Sequence, residues 1–140
     1  MHEFTATGRP IGVVEPTKSK PRILIVEDDQ DARNGLAQRV RHEGSEPLFA
    51  TDVHGAIRVA RLQKPDLILL DLGLPGGDGY AVMKTLQSMP ELALIPIVVL
   101  SARDPIVERR RALEAGAIGF YQKPISNNVL RAAIRHALEE

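Results

Sequence analysis

The chain has 140 residues, enough for one domain with a single buried core. Hydrophobic residues make up 44% and charged residues 26%, a globular composition, and 18 basic side chains balance 18 acidic ones, which leaves no electrostatic basis for direct nucleic-acid binding. Cysteine is absent, excluding a disulfide framework, a thiolate metal site and a cysteine nucleophile; with no apolar run near the roughly 18 residues of a membrane span and no secretory apolar core, a cytoplasmic domain without membrane contact is expected.

Residues 1–21 read as a leader. Gly8, Pro10, Gly12, Pro16 and Pro21 punctuate it, Ile11-Gly12-Val13-Val14 is its only apolar run, and a flexible tail is expected. From Arg22 to the end at 140 the pattern changes to alternating strands and helices. Ile23-Leu24-Ile25-Val26 is an apolar run suited to a strand buried on both faces. Leu36 and Val40 mark a helix that Gly44 stops. Leu48-Phe49-Ala50 is a second strand, Val53 to Gln63 a second helix, and Leu67-Ile68-Leu69-Leu70 a third strand. Pro75-Gly76-Gly77-Asp78-Gly79 reads as a loop, and Val82, Leu86 and Met89 mark a third helix. Ile95 to Leu100 is the fourth strand, Ile106 to Ala115 the fourth helix, and Ile118 to Tyr121 the fifth strand. Leu130, Ala133, Ile134 and Ala137 mark the last helix. Such alternation implies an α/β fold whose parallel strands are joined by right-handed crossovers, with helices on both faces. By analogy the sheet order is the flavodoxin-like 2-1-3-4-5, and ligands then sit beyond the carboxyl ends of the strands.

Polar residues follow several strands: Glu27-Asp28-Asp29 after the first, Asp71 after the third, Ser101 and small Ala102 at the fourth, Lys123-Pro124 after the fifth. Each alone has an ordinary explanation as a helix cap, a turn residue or a surface lysine. Together they should meet at one edge of the sheet. Carboxylates that close repel, and a divalent cation relieves the repulsion; oxygen-only ligands suit Mg²⁺. A lysine offsets remaining charge, a hydroxyl can bond a phosphoryl oxygen, and a carboxylate can act as nucleophile.

In that order and at those strand ends, Ile23 to Asp29, Asp71 to Gly79, Ser101-Ala102 and Lys123-Pro124 resemble the signature of the response-regulator receiver family. The resemblance runs from about Arg22 to Glu140. It implies a phosphoacceptor domain of a two-component phosphorelay with Mg²⁺ as cofactor. Its partners would be a histidine kinase or histidine phosphotransfer protein and a downstream protein met by the helix 4, strand 5 and helix 5 face. It implies no enzyme beyond its own phosphotransfer and autodephosphorylation.

The resemblance makes Asp71 the phosphoacceptor and Asp28 a direct metal ligand, with Glu27 acting through water and Asp71 and the Gly73 carbonyl completing the set. A register shifted by one would make Asp28 and Asp29 the acidic pair; the spacing to Arg33 and Asp71 favours Glu27 and Asp28. Lys123 would bind a phosphoryl oxygen, next to a Lys123–Pro124 bond that is typically cis in the family. Ser101 would turn toward the phosphoryl group. Phe120 occupies the family's switch-aromatic position, where tyrosine is frequent, and reads equally as a plain core aromatic. Arg103 and Gly73 flank the phosphoryl position, and Arg109-Arg110-Arg111 reads as a solvated helix face or a dock for an acidic partner. Two other readings stand beside this one: a phosphorylation-independent pseudo-receiver, and a magnesium-dependent phosphohydrolase, which would need a second acid and a substrate cap.

Overall fold

The computed structural model describes residues 20–139. The expected leader lies outside them, apart from Lys20 and Pro21. In chain order the elements are β1 (Arg22–Val26), α1 (Gln30–His42), β2 (Glu46–Ala50), α2 (Val53–Gln63), β3 (Leu67–Leu70), α3 (Gly79–Gln87), β4 (Ile97–Ser101), α4 (Pro105–Glu114), β5 (Gly119–Gln122) and α5 (Asn127–Glu139). All strand pairings in the main sheet are parallel, in the order 2-1-3-4-5.

The apolar runs alternate faces, and each face has its own core. Leu24, Val26, Ile68, Leu70, Ile97 and Val99 point to one side and pack with residues of α2, α3 and α4. Ile23, Ile25, Leu67, Leu69, Val98 and Leu100 point to the other, against α1 and α5. Period-2 geometry on a sheet covered on both sides explains why the strands read as unbroken apolar runs.

Short polar side chains start the helices: Asp29 caps α1, Asp52 caps α2, Asp78 caps α3 and Asp104 caps α4, each accepting a backbone N–H of the first turn. Gly44, at φ +85, ends α1 where Gly44 N–H donates to the Arg41 carbonyl (3.0 Å) and Ser45 N–H to that of Val40 (3.1 Å).

The structure departs from the sequence reading at several boundaries. The stretch read as a loop is partly ordered: Gly73–Leu74 pairs antiparallel with Gly77–Asp78, and Gly79 already opens α3. Gly76 and Gly77 take the positive φ values of 81 and 134 that this tight reversal needs. Met89 lies beyond α3, which ends at Gln87; Met89 N–H donates to the Leu86 carbonyl (3.1 Å) in the closing turn. The fourth strand starts at Ile97 rather than Ile95, because Pro96 carries no N–H and Ile95 N–H turns back to the Leu92 carbonyl (3.2 Å). The second strand starts two residues early, at Glu46, with Pro47 accommodated because β2 is an edge strand.

Two glycines make opposite predictions. A Cβ on Gly79 would stand 2.9 Å from the Asp71 carbonyl oxygen and 3.0 Å from Leu72 Cα, both backbone, whereas Gly35 within α1 has nothing within 4 Å. Gly79→Ala is expected to destabilise the fold by about 1–3 kcal/mol, and Gly35→Ala to stabilise it by about 0.5–1 kcal/mol, both read by urea denaturation.

Candidate functional site

The parallel register sets the site. Val26 lies opposite Leu70, so the residues after each strand emerge side by side at the carboxyl edge. Two backbone bonds fix the exits: Asp71 N–H donates to the Val26 carbonyl (3.0 Å) and Glu27 N–H to that of Ala50 (3.1 Å). Carboxylate oxygens of Glu27, Asp28 and Asp71 then all lie within 4.8 Å of one another. Glu27 is buried, Asp71 half-buried and Asp28 exposed. Asp29 is not part of this cluster: its carboxylate takes the Ala32 N–H (2.8 Å) as the α1 cap, while its own N–H donates to Glu27 Oε2 (3.1 Å). Arg33, on the first turn of α1, holds the acidic turn by donating to the Glu27 carbonyl at 3.1 Å and the Asp28 carbonyl at 3.4 Å.

Lys123 enters from the end of β5. Its Nζ donates to Glu27 Oε1 and lies 3.7 Å from Asp71 Oδ1, so one ammonium faces two carboxylates. Its backbone N–H donates to the Ser101 carbonyl (2.8 Å), and the following bond to Pro124 is cis. Ser101 is buried at the end of β4, where its Oγ accepts the Arg103 N–H (3.0 Å). The backbone N–H of Gly73 favours the ionised form of the Asp71 carboxyl. Phe120 is 1% exposed and lies in the core with α2, α3 and α4, with the Arg109 guanidinium 5.6 Å from its ring centroid. Glu27, Asp28, Asp71, Gly73, Ser101 and Lys123 are thus brought to one edge, whereas Asp29 and Phe120 are engaged elsewhere.

Burial pushes the Asp71 carboxyl above its ordinary range, and Glu27 and Asp28 add to the shift. Lys123 and the Gly73 N–H oppose it without cancelling it. The site therefore carries more negative charge than its single lysine neutralises. Three hard oxygen donors this close suit a hard divalent cation such as Mg²⁺, and nothing in the set suits a thiophilic metal.

Sequence reading missed two contacts. Placing Lys123 against a future phosphoryl group overlooked its ion pair with Glu27, 96 residues away. The hydrogen bond from Tyr80 Oη to Glu108 Oε1 (2.6 Å) joins α3 to α4 across 28 residues, and no local pattern announces it.

The family model described as response regulator receiver domain matches residues 23–135. The KDP operon transcriptional regulatory protein KdpE of Escherichia coli (strain K12) is 38% identical over 116 residues, covering 83% of this chain and 50% of that protein. The chain spans about half the length of the curated relatives it matches. Among solved structures, a putative response regulator from Chloroflexus aurantiacus superposes with a TM-score of 0.83 at 29% identity, covering 87% of this chain and 100% of that one. The receiver domain of the sensor histidine kinase PA1611 from Pseudomonas aeruginosa PAO1, described with a magnesium ion coordinated in its active site cleft, superposes with a TM-score of 0.80 at 26% identity, over 87% and 100% of the two chains. Sequence match, sheet order and architecture agree, and the chain belongs to the response regulator receiver domain family of two-component signal transduction.

Proposed function

We propose that Asp71 accepts a phosphoryl group from a histidine kinase or histidine phosphotransfer protein, and that its phosphorylation alters protein contacts on the face formed by α4, β5 and α5. The observation that carries this reading is the half-buried Asp71 carboxylate, with two further carboxylates within 4.8 Å and an ammonium at 3.7 Å. One Asp71 oxygen attacks the phosphorus of a phosphohistidine; the new O–P bond forms as the N–P bond breaks, and its electron pair returns to the imidazole nitrogen.

Asp28, Asp71, the Gly73 carbonyl and, through water, Glu27 would hold Mg²⁺, which when bound offsets the charge gathered on the phosphoryl oxygens. Lys123 has three N–H donors and spends one on Glu27, so others remain for a phosphoryl oxygen. Ser101 Oγ accepts from Arg103, which leaves its hydroxyl proton to donate. A phosphoryl group supplies the acceptor. The turn from Ser101 to Asp104 leads directly into α4, so a reoriented Ser101 moves the start of that helix. Phe120 contributes packing beneath the face, and it has no hydroxyl to offer a partner.

Incubation with Mg²⁺ and a small acyl- or amido-phosphate should add the mass of one phosphoryl group, and Asp71→Asn should add none. No gain in the wild type, with beryllofluoride also failing to bind, would put the pseudo-receiver reading in front. Ser101→Ala should still accept the phosphoryl group yet lose most of the partner response; an undiminished response counts against Ser101 as the relay.

A stability measurement tests the electrostatics independently. The folded state raises the Asp71 pKa, so its ionised form costs stability. That cost is fully present above the folded pKa and vanishes as pH falls below the unfolded value of about 4. In metal-free buffer Asp71→Asn should therefore melt higher than the wild type at pH 7, with the gain shrinking on acidification and on adding Mg²⁺. A lower melting temperature at pH 7 contradicts the charge balance described here.

A further inference from the structure

Helix α4 is thinly anchored. Ala112 is its only buried residue, whereas α5 buries Leu130, Ala133, Ile134 and Ala137, and α3 buries Gly79, Val82, Met83 and Leu86. Ile106 and Val107 of α4 are 88% and 61% exposed. With so little apolar area holding it, the helix depends more than its neighbours on side-chain ties.

One polar tie runs to α3, beside the contact of Arg109 with the Phe120 ring. Tyr80 Oη donates to Glu108 Oε1 at 2.6 Å, and the Arg111 guanidinium lies over the Tyr80 ring, 4.0 Å from its centroid. A charge-assisted hydrogen bond and a cation–π contact thus converge on one phenol from successive turns of α4. Burial and the bond to Glu108 push the Tyr80 hydroxyl up to about 12, so it keeps its proton and goes on donating throughout the physiological range.

Both ends of this tie lead to the phosphoacceptor site. Tyr80 follows Gly79, whose N–H donates to the carbonyl of Leu72, the residue after Asp71 (2.8 Å). On the other side α4 is capped by Asp104, in the turn where Arg103 N–H holds Ser101 Oγ. A Ser101 that turns toward a phosphoryl group gives up or strains the Arg103 contact and shifts this turn. The shift reaches α4 while Glu108 and Arg111 fasten it to Tyr80.

Resting on the phosphoacceptor reading, we propose that the Tyr80–Glu108 hydrogen bond, with Arg111 stacked on the Tyr80 ring, is a latch that holds α4 against the shift a turning Ser101 would impose and so opposes phosphorylation at Asp71. Linkage makes this reciprocal: whatever stabilises the phosphorylated state must loosen the latch, and cutting the latch must favour that state.

The test uses Tyr80→Phe, which removes only the hydroxyl, Glu108→Ala, which removes its acceptor, and Glu108→Gln, which keeps an acceptor. Two quantities are read on the 140-residue chain: amide exchange over residues 105–114 without ligand, and beryllofluoride affinity in Mg²⁺ by ¹⁹F NMR. Tyr80→Phe and Glu108→Ala are expected to speed exchange in α4 and to tighten beryllofluoride binding by about fivefold, the scale of one net hydrogen bond; Glu108→Gln should stay nearer the wild type. Unchanged α4 exchange overturns the tie. Faster exchange with unchanged or weaker beryllofluoride binding, in a chain whose wild type binds it, overturns the latch alone. A wild type that fails to bind beryllofluoride overturns the phosphoacceptor reading and the latch with it.

Discussion

The structure turns on crowded negative charge at the carboxyl edge of the sheet, restrained by one lysine. Glu27, Asp28 and Asp71 are placed there by backbone alone: the β1–β3 register brings the strand ends level, and Asp71 N–H bonding to the Val26 carbonyl fixes the exit. Their repulsion is the cost of that placement. Lys123 answers it in part, the Arg33 guanidinium steadies the carbonyls of the acidic turn, and the remainder shows in the raised pKa of Asp71. An apolar core on each side of the sheet supplies the rigidity that keeps the charges from moving apart.

Much of this was legible in the amino-acid sequence because it is written in short-range patterns. Runs such as Ile23 to Val26 and Leu67 to Leu70 announce buried parallel strands. Alternation with helices announces the fold class, and polar residues at strand ends announce the edge where chemistry belongs. Less legible were features set by backbone detail or by distant pairing. Nothing near Pro75 to Gly79 says that Gly73–Leu74 and Gly77–Asp78 will pair, since two-residue pairings depend on how the chain reverses at Gly76 and Gly77. The run of Glu27, Asp28 and Asp29 could not by itself say which acid caps α1; the direction of the helix axis decides that, and it selects Asp29. Phe120 could be read as a surface or a core ring, and the two-sided packing of β5 seats it in the core.

The helices are held unequally, and α4 buries the least. On the side of α1 and α5, long apolar side chains are driven into the sheet, and Arg39 donates across to the Ile125 carbonyl (2.7 Å) while Arg131 pairs with Glu43 (2.9 Å). On the other side, α4 buries one alanine, sets Arg109 over the Phe120 ring and is tied to α3 by the Tyr80–Glu108 hydrogen bond. Local stability differs accordingly, and the elements that move in a switch are drawn from the weakly held end of that range.

The alternation of side chains along β1, β3 and β4 has a consequence for how such a domain can diversify. Because successive residues belong to different cores, the sheet is a partition whose two sides share little beyond backbone. Substitutions in separate, non-touching clusters tend to act independently. The side of α2, α3 and α4 can therefore be repacked without disturbing the side of α1 and α5, and descent can alter one covering of the sheet while leaving intact the wall that holds its charged edge in place.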